Sequence, residues 1–130
     1  MDQQHVSELF EQGAVLLPRL EIKAVTRPWY SHPDWDGVYL KDLVTGKETD
    51  GQFSYHIVRI QQGCEVADHN HDTQWELNMV LSGKGVFKLD GTDIAVKPGQ
   101  TFATPPGIHH TVSAGNEELS LLALFIPALL

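Results

Sequence analysis

From Val38 onward the chain is cut into short runs rich in β-branched and aromatic residues, each bounded by turn-forming residues. The runs are VYLKDLV, FSYHIVRI, CEVA, WELNMVL, VFKL, TDIAV, TFA, HTVSA and LSLLALFI. Between them stand TGKETDG, QQG, SGKG, DG, KPGQ, PPG and AGNEE. Many short strands at regular spacing predict an all-β sandwich or barrel. The Asp90-Gly91 pair predicts a tight hairpin, because a two-residue primed turn needs positive φ.

The N-terminal part reads differently. Val6, Leu9 and Phe10 fall at helical spacing, and Gly13 is placed to stop that short helix. LEIKAV (20–25) alternates as a strand does. TRPWYSHPDWDG (26–37) reads as a loop whose Trp29, Tyr30 and Trp35 cap a core or an interface. The expected division is an N-terminal extension over 1–37, packed on the barrel or on a partner, and a barrel over 38–130.

At 130 residues, 42% of them hydrophobic, the chain is long enough to close one core without disulfides. A net charge of −8 with no Lys/Arg cluster argues against nucleic acid or an anionic membrane as partner. Cys64 is the single cysteine, which fits a reducing compartment. The N-terminus lacks the apolar core of a secretory signal. The apolar tail LSLLALFIPALL is too short to span a bilayer and reads as a buried strand ending at Pro127. A soluble cytoplasmic protein is expected.

Chemistry concentrates in two segments. In GCEVADHNHDTQWELNMVLSG (63–83), His69 and His71 are two apart and so share a face if the backbone is extended. Glu76 has the wrong parity for one continuous strand, but Asp72–Gln74 can supply a turn or bulge that resets the phase. Glu76, Asn78 and Val80 then share one face of the next strand. Histidine pairs are common on exposed strands, so this segment alone does not demand a metal. The second segment, GQTFATPPGIHHTVSA (99–114), carries a Pro105-Pro106-Gly107 turn before His109 and His110. These neighbours point to opposite faces, so at most one of them faces a site.

Together the two segments resemble the paired motifs of the cupin superfamily. The first motif runs glycine, five residues, His-X-His, three or four residues, glutamate, six residues, glycine; here these are Gly63, His69, His71, Glu76 and Gly83. The second is met by Gly99, Pro105, Gly107 and His110, with Ala114 where the motif ends in asparagine. The resemblance implies a double-stranded β-helix (a jelly-roll barrel) with one metal ion held by His69, His71, Glu76 and His110. Nitrogen ligands with one carboxylate suit divalent Fe, Mn, Ni, Zn or Cu, and no thiolate selects a softer metal. The spacing from Gly107 assigns the ligand role to His110 and turns His109 away.

Other polar residues carry weaker expectations. Asn78 shares the face of Glu76 and is the best candidate to touch the carboxylate or a substrate. Glu76 is also the candidate base. Cys64 is out of phase with the histidines and reads as packing. His5 and His32 have no evident partner, His56 and Tyr55 compete for one inward position, and Arg59 reads as a surface ion pair. The leading functional expectation is a small metalloenzyme acting on an oxygen-rich small molecule, with dioxygenase-, isomerase- or decarboxylase-like chemistry. The alternative is a non-catalytic module that binds or senses a small ligand. A homodimer is expected, since single-barrel members of that superfamily commonly pair.

Overall fold

The computed structural model describes residues 3–130, with side chains from residue 6 onward, so the His5 side chain lies outside the described residues. Helix α1 (Gln3–Glu11) leads into a hairpin of β1 (Ala14–Leu17) and β2 (Leu20–Lys23), a 3-10 turn at Ala24–Thr26, and β3 (Trp29–Ser31). Next come β4 (Val38–Val44), the one-turn helix α2 (Gly46–Thr49), β5 (Ser54–Ile60), β6 (Glu65–His69) and β7 (Trp75–Ser82). The chain closes with β8 (Gly85–Leu89), β9 (Thr92–Val96), β10 (Thr101–Thr104), β11 (His110–Ala114) and β12 (Leu119–Ile126). Among the described residues, no helix is long and apolar enough to cross a membrane.

Two antiparallel sheets form the body. One has the order β10-β7-β12-β5-β4-β3 and the other β6-β11-β8-β9, while β1 and β2 pair separately. Val58, Val80, Leu121 and Phe125 of the larger sheet meet Phe87, Val96 and Val112 of the smaller in one core. The opposite face of the larger sheet carries a second cluster, with Leu43, Ile57 and Leu122 packed against Ile22 and Ala24 of the N-terminal segment. Strand β12, between β7 and β5, therefore has both faces covered. That is why its sequence is continuously apolar rather than alternating.

The expected helix, hairpin and barrel strands are present, and Asp90 and Gly91 both take positive φ (48° and 82°) between β8 and β9. Three local readings need correction. The loop expected over 26–37 contains β3, which pairs with β4 through Trp29–Lys41 and Tyr30–Leu40. It can lie between prolines because it is an edge strand, where a missing ladder donor costs little. The LEIKAV strand stops at Lys23, and Ala14–Leu17 supplies its partner. TGKETDG holds a helical turn, capped reciprocally by Thr45 and Glu48.

Gly83 ends the first motif for a steric reason. Its φ is +83°, and a Cβ there would stand 2.0 Å from the Glu118 carbonyl oxygen. No L-residue fits without moving the β12 approach.

Candidate metal centre

Pairing of β6 with β11 brings the two motifs together. His69 stands directly opposite His110 across the ladder, and the Gly107 N–H donates to the His71 carbonyl oxygen at 2.8 Å. The proline turn of the second motif is thereby tied to the His-X-His of the first. Strand β6 ends at His69, so His71 lies past the strand, yet the two rings still meet edge-on with centroids 4.9 Å apart. The bend after His71 resets the phase, and Glu76 enters from the larger sheet with Asn78 and Val80 buried beside it.

One donor atom from each of His69, His71, Glu76 and His110 lies within 4.8 Å of the others. Ligands at roughly 2.0–2.2 Å from one ion span at most about 4.4 Å, so an ion needs only a contraction of a few tenths of an ångström. The tautomers suit the task. His69 Nδ1 donates to Ala67 O at 2.7 Å and His110 Nδ1 to Ile108 O at 3.0 Å. A carbonyl only accepts, so each Nδ1 carries a proton and Nε2 is the nitrogen turned to the cluster, where that of His110 donates to Glu76 until an ion displaces its proton. Asn78 Nδ2 donates to Glu76 Oε2 at 2.8 Å. The other carboxylate oxygen, Oε1, faces His110 Nε2 at 3.1 Å and His71 Nε2 at 3.3 Å.

Electrostatics follow from these contacts. Burial by itself would raise the Glu76 pKa, but hydrogen bonds from His110, His71 and Asn78 outweigh it and hold the carboxyl well below the usual range. His110 is pushed up: burial opposes its charge, and the bond to Glu76 prevails with help from Ile108 O. Burial pulls His69 down, against the bond to Ala67 O, which keeps it neutral and its Nε2 lone pair available near pH 7. The Thr104 hydroxyl, on β10 opposite Glu76, is buried without a partner among the described residues. The donor set, the tautomers and the ordered carboxylate all fit a divalent first-row ion.

The cluster opens into a cavity of about 110 Å³ whose wall includes His69, His71, Glu76 and Asn78. His109 is outside it, 61% exposed and paired with Asp68 Oδ2 at 3.1 Å. His32 and Trp35, read from sequence as a partnerless histidine and a capping ring, line the cavity instead. Their rings stack with centroids 4.1 Å apart, and Trp35 tilts onto His69 at 5.0 Å. His56 takes the inward position over Tyr55, which packs in the outer cluster. Both His56 nitrogens are engaged, Nδ1 with Asp42 Oδ1 at 2.8 Å and Nε2 with Ser54 Oγ at 2.9 Å. Phe125, which sequence reasoning missed, sets its ring against both His71 (5.1 Å) and His56 (5.6 Å).

The remaining candidates are structural. Cys64 packs against the inner core. Arg59 pairs with Glu11, reaches Glu118 at 3.6 Å, and lies over the Trp29 ring at 4.6 Å. Ala114, in place of the motif's asparagine, is a core residue.

The family model for the cupin domain matches residues 56–126. An oxalate-binding protein of Thermotoga maritima is 33% identical over 70 residues, covering 53% of this chain and 58% of the relative. A quercetin 2,3-dioxygenase of Bacillus subtilis is 26% identical over 83 residues, covering 64% of this chain and 25% of the relative. The chain thus spans less than two thirds of either relative. Among solved structures, a predicted oxalate decarboxylase from Thermotoga maritima superposes with a TM-score of 0.70 at 26% identity, covering 78% of this chain and 91% of that one.

Proposed function

The chain belongs to the cupin family, its two sheets forming that family's double-stranded β-helix, and on this premise we propose that it is a small metal-dependent enzyme. One divalent transition-metal ion would be held by His69, His71, Glu76 and His110 and presented to a small molecule that binds through oxygen atoms. The observation carrying this reading is the donor set, with four ligand atoms within 4.8 Å of one another at the wall of a cavity. A bound divalent ion supplies Lewis acidity, and its net positive charge favours a chelating, anionic oxygen pair.

The protein's own groups do the positioning. Ala67 O and Ile108 O fix the His69 and His110 rings, Asn78 fixes the Glu76 carboxylate, and Phe125 and Trp35 flank the histidines on the cavity side. Glu76 is the carboxylate at the cavity wall and the candidate base. Its hydrogen bonds keep it ionised at neutral pH, so it can accept a proton, though only from a group acidified on binding.

A second reading is a stand-alone ligand-binding module, favoured by a relative named for binding oxalate rather than for turning it over. Metal analysis of protein purified without added ions, followed by a panel of small acids, sugars and phenols with oxygen uptake and product formation recorded, separates the two. Turnover supports the enzyme; saturable binding with no product supports the module. Protein that holds no metal as purified and takes none up from added divalent ions contradicts the metal-dependent reading.

A further inference from the structure

We propose that the ligand of this cavity carries its oxygens at one end, on a compact apolar body, and that a second carboxylate at the far end is rejected. This deepens the metal-dependent reading above and rests on it for the chelating end. Away from the four-residue cluster the wall is built mainly from apolar side chains, among them Leu40, Val58, Val112, Leu121, Phe125 and Leu129. Among the described residues, no lysine or arginine lines it. Most of the polar groups that reach it are already engaged, leaving the His32 Nε2 and Trp35 indole N–H of one stacked pair as donors. His56 is held at both ring nitrogens by Asp42 and Ser54, Asn78 donates to Glu76, and His32 Nδ1 accepts from the Asp34 N–H.

A dicarboxylate bound here would place one charge on the metal and bury the other against leucine and valine, with no lysine or arginine beside it among the described residues. Burying an unpaired carboxylate is among the costliest events in recognition. An alkyl group in the same place is rewarded instead, by about fourfold in affinity per buried methylene. The cavity, about 110 Å³, lies below the ~300–1,000 Å³ of pockets that take drug-sized ligands. The body is therefore only a few carbons. Ala123 limits it, since this small residue lines the cavity and stands opposite both His56 and Asn78 in the sheet.

The test is calorimetric titration of the nickel-loaded protein with 2-oxo acids that share one chelating head. Affinity should climb from pyruvate through 2-oxobutanoate to 2-oxopentanoate by about fourfold per methylene. Replacing the terminal methyl of 2-oxopentanoate by carboxylate, as in 2-oxoglutarate, should weaken binding at least tenfold. In Ala123→Val the gain per methylene should shrink. A flat series, 2-oxoglutarate binding as tightly as 2-oxopentanoate, or an unchanged gain in the variant overturns the proposal. Nickel content, measured beforehand, tells the two failures apart. Loaded protein with the wrong ligand order sinks this inference alone, whereas protein that takes up no nickel sinks the metal reading and this inference with it.

Discussion

Asn78→Ala removes one hydrogen bond at a position only 2% exposed, the 2.8 Å contact from Nδ2 to Glu76 Oε2. Two effects should follow, and they are separable. In metal-free protein a buried carboxylate oxygen loses a charge-assisted partner, worth about 1.5–3 kcal/mol. For a chain of 130 residues the unfolding entropy is roughly 0.27 kcal/mol/K, so the melting temperature should drop by about 5–11 °C. In metal-loaded protein the carboxylate is free to rotate, and loss of such an orienting partner weakens metal affinity by about 10–100-fold. Thermal unfolding of the metal-free variant measures the first effect, and competition against a chelator of known affinity measures the second. A variant that melts lower but binds metal within twofold of wild type would show Asn78 to be a packing residue. The claim that it orders Oε1 for an ion would then be refuted.

Asp42 should give the acid limb of stability. Burial raises its pKa, but hydrogen bonds from His56 and Tyr30 outweigh it and bring the folded value below the ordinary 3.8. A depressed carboxylate contributes stability above its unfolded pKa and loses it as pH falls through the folded one. Asp42→Asn should therefore cost about 1–3 kcal/mol near pH 7 and progressively less toward pH 3, read by urea unfolding at both; an equal cost at both contradicts the assignment. Gly83→Ala should cost about 2–4 kcal/mol, combining left-handed strain with the contact at Glu118 O. Gly91→Ala, with φ +82° and nothing within 4 Å of a Cβ, should cost only about 1–2 kcal/mol; equal costs would deny the steric role. We also propose that the chain self-associates as a homodimer, since Leu9, Phe10, Leu16 and Leu20 of the N-terminal segment are exposed and apolar patches of that kind are commonly covered. Light scattering at micromolar concentration should give the mass of two chains, and a monomeric mass would end the idea.

The inner ligands were legible because their signals are local. A two-residue repeat places His69 beside His71, a bend over 72–74 restores Glu76, and the turn at Gly107 sets the phase of His110. Neighbours brought by the fold left no such trace. His32 and Trp35 reach the cavity from a proline-rich stretch with no period, through the pairing of β3 with β4. Phe125 sits in a strand covered on both faces, where alternation vanishes and nothing distinguishes a site-facing ring from a core one. Helix α2 is a different case. Its Thr45/Glu48 capping box is visible in TGKETDG, but a single turn has no apolar period to accompany it, and Gly46 at its first position with Gly51 just past its end reads as loop.

The central claim is that one ion is held by His69, His71, Glu76 and His110. Its most direct test is metal stoichiometry by elemental analysis in wild type and two neighbouring alanine variants, each dialysed against the same limiting divalent ion. The account predicts one ion per chain in wild type and in His109→Ala, whose exposed ring pairs only with Asp68 among the described residues. His110→Ala should lose most of its metal, because the ring that faces Glu76 Oε1 at 3.1 Å is gone. Full occupancy in His110→Ala with loss in His109→Ala would contradict the register of β11 and, with it, the ligand set.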